Sequence, residues 1–213
     1  MGLAVRTGLL ADLRRHDAEG SAWLERQLDV VNELLGAHGW PLHQEPQRLA
    51  ARPSRCARAV YPYAWLHHLR RAYAYAAADP DVVLAPATDA GDEPVDDAVL
   101  HAETERLESH LLCHSDCEGF YVPVDFGDLI FDASGRLAGG MLGSSYRLLG
   151  ELVLVAPYIG VELQGGVLSD EEAARLNALA DRREGHWVEG LVWLSLYEAA
   201  TASVDQKTAI AFA

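Results

Sequence analysis

Trp23, Leu24, Leu28, Val31, Leu34 and Leu35 recur at three- and four-residue spacing. That is the period of one helix face, and an apolar stripe this wide has to be buried against another element. Ser21 stands where a cap belongs, and Gly36 or Gly39 followed by Pro41 ends the run. The pattern returns in "YPYAWLHHLRRAYAYAAA", where Pro62 sits near the first turn and Trp65, Leu66, Leu69, Ala72, Tyr73 and Ala76 mark the buried side. Three later segments repeat it. "SSYRLLGELVLVAPYIG" has Ser144 or Ser145 as cap and Pro157 near its end. "LSDEEAARLNALADRR" carries Ser169 three residues before Glu172, a capping-box pattern. "HWVEGLVWLSLYEAATAS" is apolar enough to be largely buried. A shorter helix is predicted from about Val95 to Leu107, and "LLADLRRH" reads as a short helix or an arm. The stripes predict a core containing Trp23, Leu28, Trp65, Leu69, Leu148, Leu152, Trp193 and Leu196.

One block breaks the helical rhythm. "HLLCH" and "FYVPVDF" are short apolar, β-branched and aromatic runs on either side of "SDCEG", which is a hairpin pattern. "DLIFDASGRLAGGML" adds another, turning at "DASG". The tail "KTAIAFA" suits an edge strand. Residues 41–60, rich in Pro and Arg, read as an irregular connection, and "DPDVVLAPATDAGDEPVDDA" reads as a surface loop. The predicted class is therefore α+β. It is a predominantly helical single domain over 1–213, helical over 1–108 and 143–205, with a small antiparallel sheet in a hairpin region at about 109–142.

Composition narrows the function classes. At 213 residues the chain can bury a real core. Its longest apolar candidate, "LVLVAPYIGV", is too short to span a bilayer. Arg6 and Asp12 interrupt any signal-like apolar run, so a cytoplasmic location is expected, with no membrane partner. Three cysteines, Cys56, Cys113 and Cys117, do not make a disulfide framework. The net charge is −15 and uneven: residues 1–71 carry ten Arg against seven Asp or Glu, and residues 72–213 carry seven Lys or Arg against twenty-five. Such a field repels phosphate backbones, so no nucleic-acid partner is expected, and it favours a basic protein partner or a cation. Oligomeric state is not legible.

Chemistry-bearing residues concentrate in "HLLCHSDCEGF", His110 to Phe120. Read as a strand, the run puts His110 and His114 about 13 Å apart at ~3.3 Å per residue, too far to share one ion. No metal and no cofactor is therefore assigned. Asp116, Glu118, Asp125, Asp128 and Asp132 could suit a hard cation, but they lack the calcium-loop pattern. His114, Asp116 and Cys117 are the candidates for thiol or metal-assisted hydrolysis centred on His110–Glu118, with His67, His68 or His186 as a converging partner. The alternative is a structural hairpin in which Asp116 closes a turn, Gly119 supplies a positive φ, and His114, Asp116, Glu118, Asp125 and Asp128 form a binding surface. Elsewhere, "DFG" at Asp125–Gly127 lacks every other kinase element. "GGMLGSS" lacks the phosphate-loop lysine. Arg70 and Arg71 of "LHHLRR" suit pairing with nearby acids.

"HSDCEG" also resembles a string found in small bacterial toxin-immunity-type proteins, although Phe120-Tyr121 stands here where tryptophan often follows the glycine. The resemblance covers six residues and implies a non-catalytic protein that binds a partner. It assigns no catalytic role. A protein-binding, immunity-like module is thus the first expectation, with the hydrolase as the alternative.

Overall fold

The computed structural model describes residues 2–87, 94 and 96–212. Part of the loop expected at 79–98, and the start of the helix expected at Val95, lie outside them. The fold is α+β. Its strands are β1 (Leu3–Thr7), β2 (Val60–Tyr61), β3 (Gly119–Val122), β4 (Ile130–Phe131), β5 (Met141–Ser144) and β6 (Ile210–Phe212). Its helices are α1 (Leu9–His16), α2 (Ala18–Ala37), α3 (Tyr63–Ala78), α4 (Ala98–Glu105), α5 (His110–Cys113), α6 (Ser145–Val155), α7 (Asp170–Arg182) and α8 (Trp187–Gln206), and a 3-10 turn at Ala156–Ile159 extends α6.

The sheet differs from the expectation in extent and in sense. Among the described residues it is six-stranded, in the order β2-β1-β6-β3-β5-β4, and β3 and β5 run parallel while the other pairs are antiparallel. Within 109–142, the β4–β5 pair turning through "DASG" is present. The first hairpin is not, because "HLLCH" is helical. Ser109 caps α5 by accepting from the N–H of Leu112 at 3.0 Å. "KTAIAFA" supplies a central strand rather than an edge, since β6 lies between β1 and β3.

Both faces of the sheet are covered, which explains the all-apolar character of β6. Leu3, Tyr121, Ile210 and Phe212 face the larger core, built with α3, α6, α7 and α8. Phe120, Val122, Leu142, Ala209 and Ala211 face the smaller one, under α1 and α2. The alternation Phe120/Tyr121/Val122 follows the two-residue strand period. α8 runs through the centre of the helical layer with Val192, Trp193, Leu194 and Leu196 fully buried. The indole N–H of Trp193 donates to the Leu152 carbonyl at 2.7 Å. Seven of the eight predicted core residues are buried. Trp23 is the exception at 42% exposure. The α2 stripe centres on Leu24, Leu28, Val31 and Leu35, and Trp23 precedes it by one residue, about 100° round the helix. The capping box at Ser169 is half-formed. Its hydroxyl accepts from Glu172 N–H at 3.1 Å, while the Glu172 carboxylate turns to Arg175 and to the Glu162 N–H.

Candidate functional site

The segment from His110 to Gly119 is held as a clamp around α5. A helix leaves N–H groups unpaired at its start and carbonyls at its end, with matching partial charges. Here a partly buried acid and a buried guanidinium serve the two ends. Glu151, from α6, accepts the N–H groups of His110 and Leu111 at 2.8 and 2.7 Å. Arg70, from α3, donates to the carbonyls of Leu111 at 2.9 Å and His114 at 2.5 Å, and also pairs with Asp116. Burial pushes the Glu151 carboxyl up to about 7, against the pull of the two N–H groups and of Arg147. Asp116 is driven the other way. The hydrogen bond from His67 and the Arg70 guanidinium hold it well below the usual carboxylate range, outweighing its partial burial.

The two histidines are structural in their contacts. His110 Nε2 donates to the Gly127 carbonyl at 3.2 Å, and its Nδ1 accepts the Ser144 N–H at 3.0 Å. That arrangement fixes the neutral Nε2–H tautomer and satisfies a β5 amide that β4 does not reach. His114 is 3% exposed. Its ring stacks on Tyr121 at 4.2 Å and meets Phe212 edge-on at 4.7 Å. Its Nδ1 donates to the Ser115 carbonyl at 3.0 Å. Burial lowers both histidines to about 4, so both are neutral at pH 7. Gly119 completes the packing. It has φ +120°, and a Cβ there would stand 2.9 Å from the His114 ring.

The candidates therefore separate. His114, expected at the surface, is buried among aromatic rings. Asp116 is tied to His67 and Arg70. Cys117 is exposed, and its Sγ meets Ser115 Oγ at 3.8 Å rather than an imidazole. The structure does not bring His114, Asp116 and Cys117 together as a nucleophile with its base. His110 and His114 do not lie along a strand, so the 13 Å separation no longer holds. Their ring nitrogens instead face backbone groups, and among the described residues no group of three or more His, Cys, Asp or Glu is placed to hold a metal ion. His67 does converge on the segment, through Asp116 at 3.3 Å, whereas His186 lies beside Glu189 at 3.6 Å. Glu118 and Asp128 are exposed, and Asp125 pairs with Arg147 at 2.9 Å. Arg71 pairs with Asp97 at 2.8 Å, so both arginines of "LHHLRR" meet acids, as expected. Sequence reasoning missed Glu151. Its signal is a lone acid inside the apolar run "LLGELVLV".

Fold and clamp together define an acidic α+β protein in which the densest group of reactive side chains is spent on internal support. A family described as "Putative DNA-mimic protein" matches residues 1–212. The chain belongs to that family. Comparison with curated proteins and with solved structures found no match. No helix among the described residues is long and apolar enough to cross a membrane.

Proposed function

We propose that this protein is a non-catalytic DNA mimic, whose exposed carboxylates occupy the DNA-binding surface of a basic protein partner. The observation that carries the proposal is the family match over residues 1–212 in a chain of net charge −15. The way the charges are disposed supports it. Among the described residues, ten arginines lie within ion-pair distance of a carboxylate, on and under the surface. The remaining field is set by carboxylates without such a partner, among them Asp29, Glu118, Asp128, Glu171 and Asp181, all exposed. A phosphate backbone presents the same thing to a protein: closely spaced negative charge that basic side chains neutralise. The field that repels nucleic acid would draw in a nucleic-acid-binding protein. The resemblance of "HSDCEG" to immunity-type proteins implies the same broad behaviour, a protein that acts by occupying another.

The test is displacement. Immobilised protein is exposed to a nuclease-treated extract at low salt, and bound proteins are eluted with duplex DNA or with salt. Retained proteins should be released by duplex DNA and lost steeply as salt rises. Retained proteins that ignore duplex DNA would refute the mimicry. Paired Glu118→Gln and Asp128→Asn substitutions report whether the loop carboxylates belong to the contact surface.

A further inference from the structure

At the opposite end of the sheet from β4, strand β1 has an unfinished edge. β2 is two residues long and pairs only with Leu3 and Ala4. Val5, Arg6 and Thr7 pair with β6 on the other side. In an antiparallel ladder, alternate residues aim their N–H and C=O groups at opposite neighbours. Part of the Val5–Thr7 backbone therefore points away from β6, where no strand lies among the described residues.

The chain over 52–59, leading into β2, arches past this edge without pairing to it, and a recess of about 220 Å³ remains between them, floored by α8. The arch is pinned elsewhere, so the gap is a fixed feature of the fold. Arg55 Nη2 and Nε bind Glu198 at 2.6 and 3.0 Å. The Ala57 N–H donates to Asn177 at 2.9 Å, and the Cys56 thiol reaches the Leu191 carbonyl at 3.8 Å. The lining includes Arg6, Arg52 and Arg58. Arg52 bridges the exposed Asp205 at 2.6 Å, Arg58 lies over the Trp65 ring at 5.8 Å, and Glu198 in the floor is already matched by Arg55. The recess is thus basic in a molecule of net charge −15. A charged side chain on an edge strand often serves to discourage pairing. Arg6 and Arg58, which pair with no carboxylate among the described residues, do more with Arg52 beside them, because together they select the charge of whatever pairs there.

We propose that this recess docks an extended acidic peptide segment, which adds to β1 as a short strand and sets its carboxylates against Arg6, Arg52 and Arg58. Main-chain hydrogen bonds to Val5–Thr7 supply the register, and the guanidinium groups supply selectivity. The proposal rests on the β1 edge and its arginines and does not depend on the DNA-mimic reading.

The probe is a fluorescent pentapeptide, Glu-Val-Glu-Val-Glu, titrated with the whole protein by anisotropy. It should bind, and the Lys-Val-Lys-Val-Lys counterpart should not. Methylating alternate backbone amides of the acidic probe should weaken binding about tenfold or more, because it removes ladder donors without touching charge. Arg6→Glu should weaken it about tenfold or more at an unchanged melting temperature, and Arg6→Ala by less. No binding at millimolar protein, equal binding of the methylated probe, or full displacement by glutarate would each overturn the proposal. The last would reduce the recess to a small-anion pocket.

Discussion

Single side chains set how this fold responds to pH. His110 and His114 sit at about 4, below their ordinary 6.5, because burial penalises the imidazolium. The unfolded chain therefore takes up protons first, and stability is lost as pH falls from 6.5 toward 4, on the order of 2–3 kcal/mol for each ring. Glu151 acts in the opposite sense. Raised from 4.5 to about 7, it binds its proton more tightly folded than unfolded, so its contribution declines as pH rises through that interval. Urea denaturation across pH 4.5 to 7.5 is expected to show stability rising more steeply with pH in Glu151→Gln than in wild type, since the two histidines then act unopposed. A stability profile parallel to wild type would exclude a buried, titrating carboxyl. Arg70 carries a heavy burden for one buried side chain, since it satisfies two carbonyls and Asp116 at once. Arg70→Met is expected to cost about 3 kcal/mol or more, read from the same titrations. Arg70→Lys should recover little, because one ammonium cannot span three acceptors in a plane. Neither Arg70's nor Glu151's partners were visible in the sequence, since each acts on α5 from about forty residues away.

At the level of elements, helices were legible and strands much less so. A stripe such as Leu24, Leu28, Val31 and Leu35 spans several turns and identifies itself. Leu28→Ala and Leu69→Ala are expected to cost about 2–5 kcal/mol each by thermal melt, and Trp23→Ala clearly less, since half of that ring is already wet. α5 was misread because four residues hold no period, and the turn chemistry of "SDCEG" dominated its neighbourhood. The decisive signal was Ser109, a cap directly ahead of it. The strand at β6 was legible in "KTAIAFA", but its central place was not, nor was β1, because each depends on a partner some 200 positions away, which no local pattern records. β3 and β5 show how tightly such pairing is specified. Tyr121 lies opposite Gly143, and a Cβ at 143 would stand 2.2 Å from the tyrosine ring. Gly143→Ala should therefore destabilise by about 1–3 kcal/mol or more and disturb Tyr121, whose hydroxyl donates to the His110 carbonyl at 2.9 Å.

For the whole molecule, the charge pattern was the most informative thing in the sequence. It favoured a basic protein partner, and the family to which the chain belongs supports a protein partner, while of the residues picked as a reactive site His114 and Asp116 lie in the clamp and Cys117 stands exposed beside it. If acidic surface is what the partner reads, variants that break the clamp should lose binding only in proportion to unfolding. Asp128→Asn and Glu118→Gln should instead change association rate and salt dependence while leaving the melting curve in place, as stopped-flow measurements can show.

The pairing of β1 with β6 also determines how the molecule yields to force. Val5 lies opposite Phe212 and Thr7 opposite Ile210, so the outer ends of both strands meet at the same end of the ladder. Tension applied between residues 3 and 212 would load those perpendicular hydrogen bonds one after another, like a zipper, instead of shearing them together. The first event under load would be the peeling of β1 from β6, which parts β2 and β1 from the other four strands and opens both cores. In a single-molecule pulling experiment the protein should give way at low force, with the chain extending as a whole after that first step.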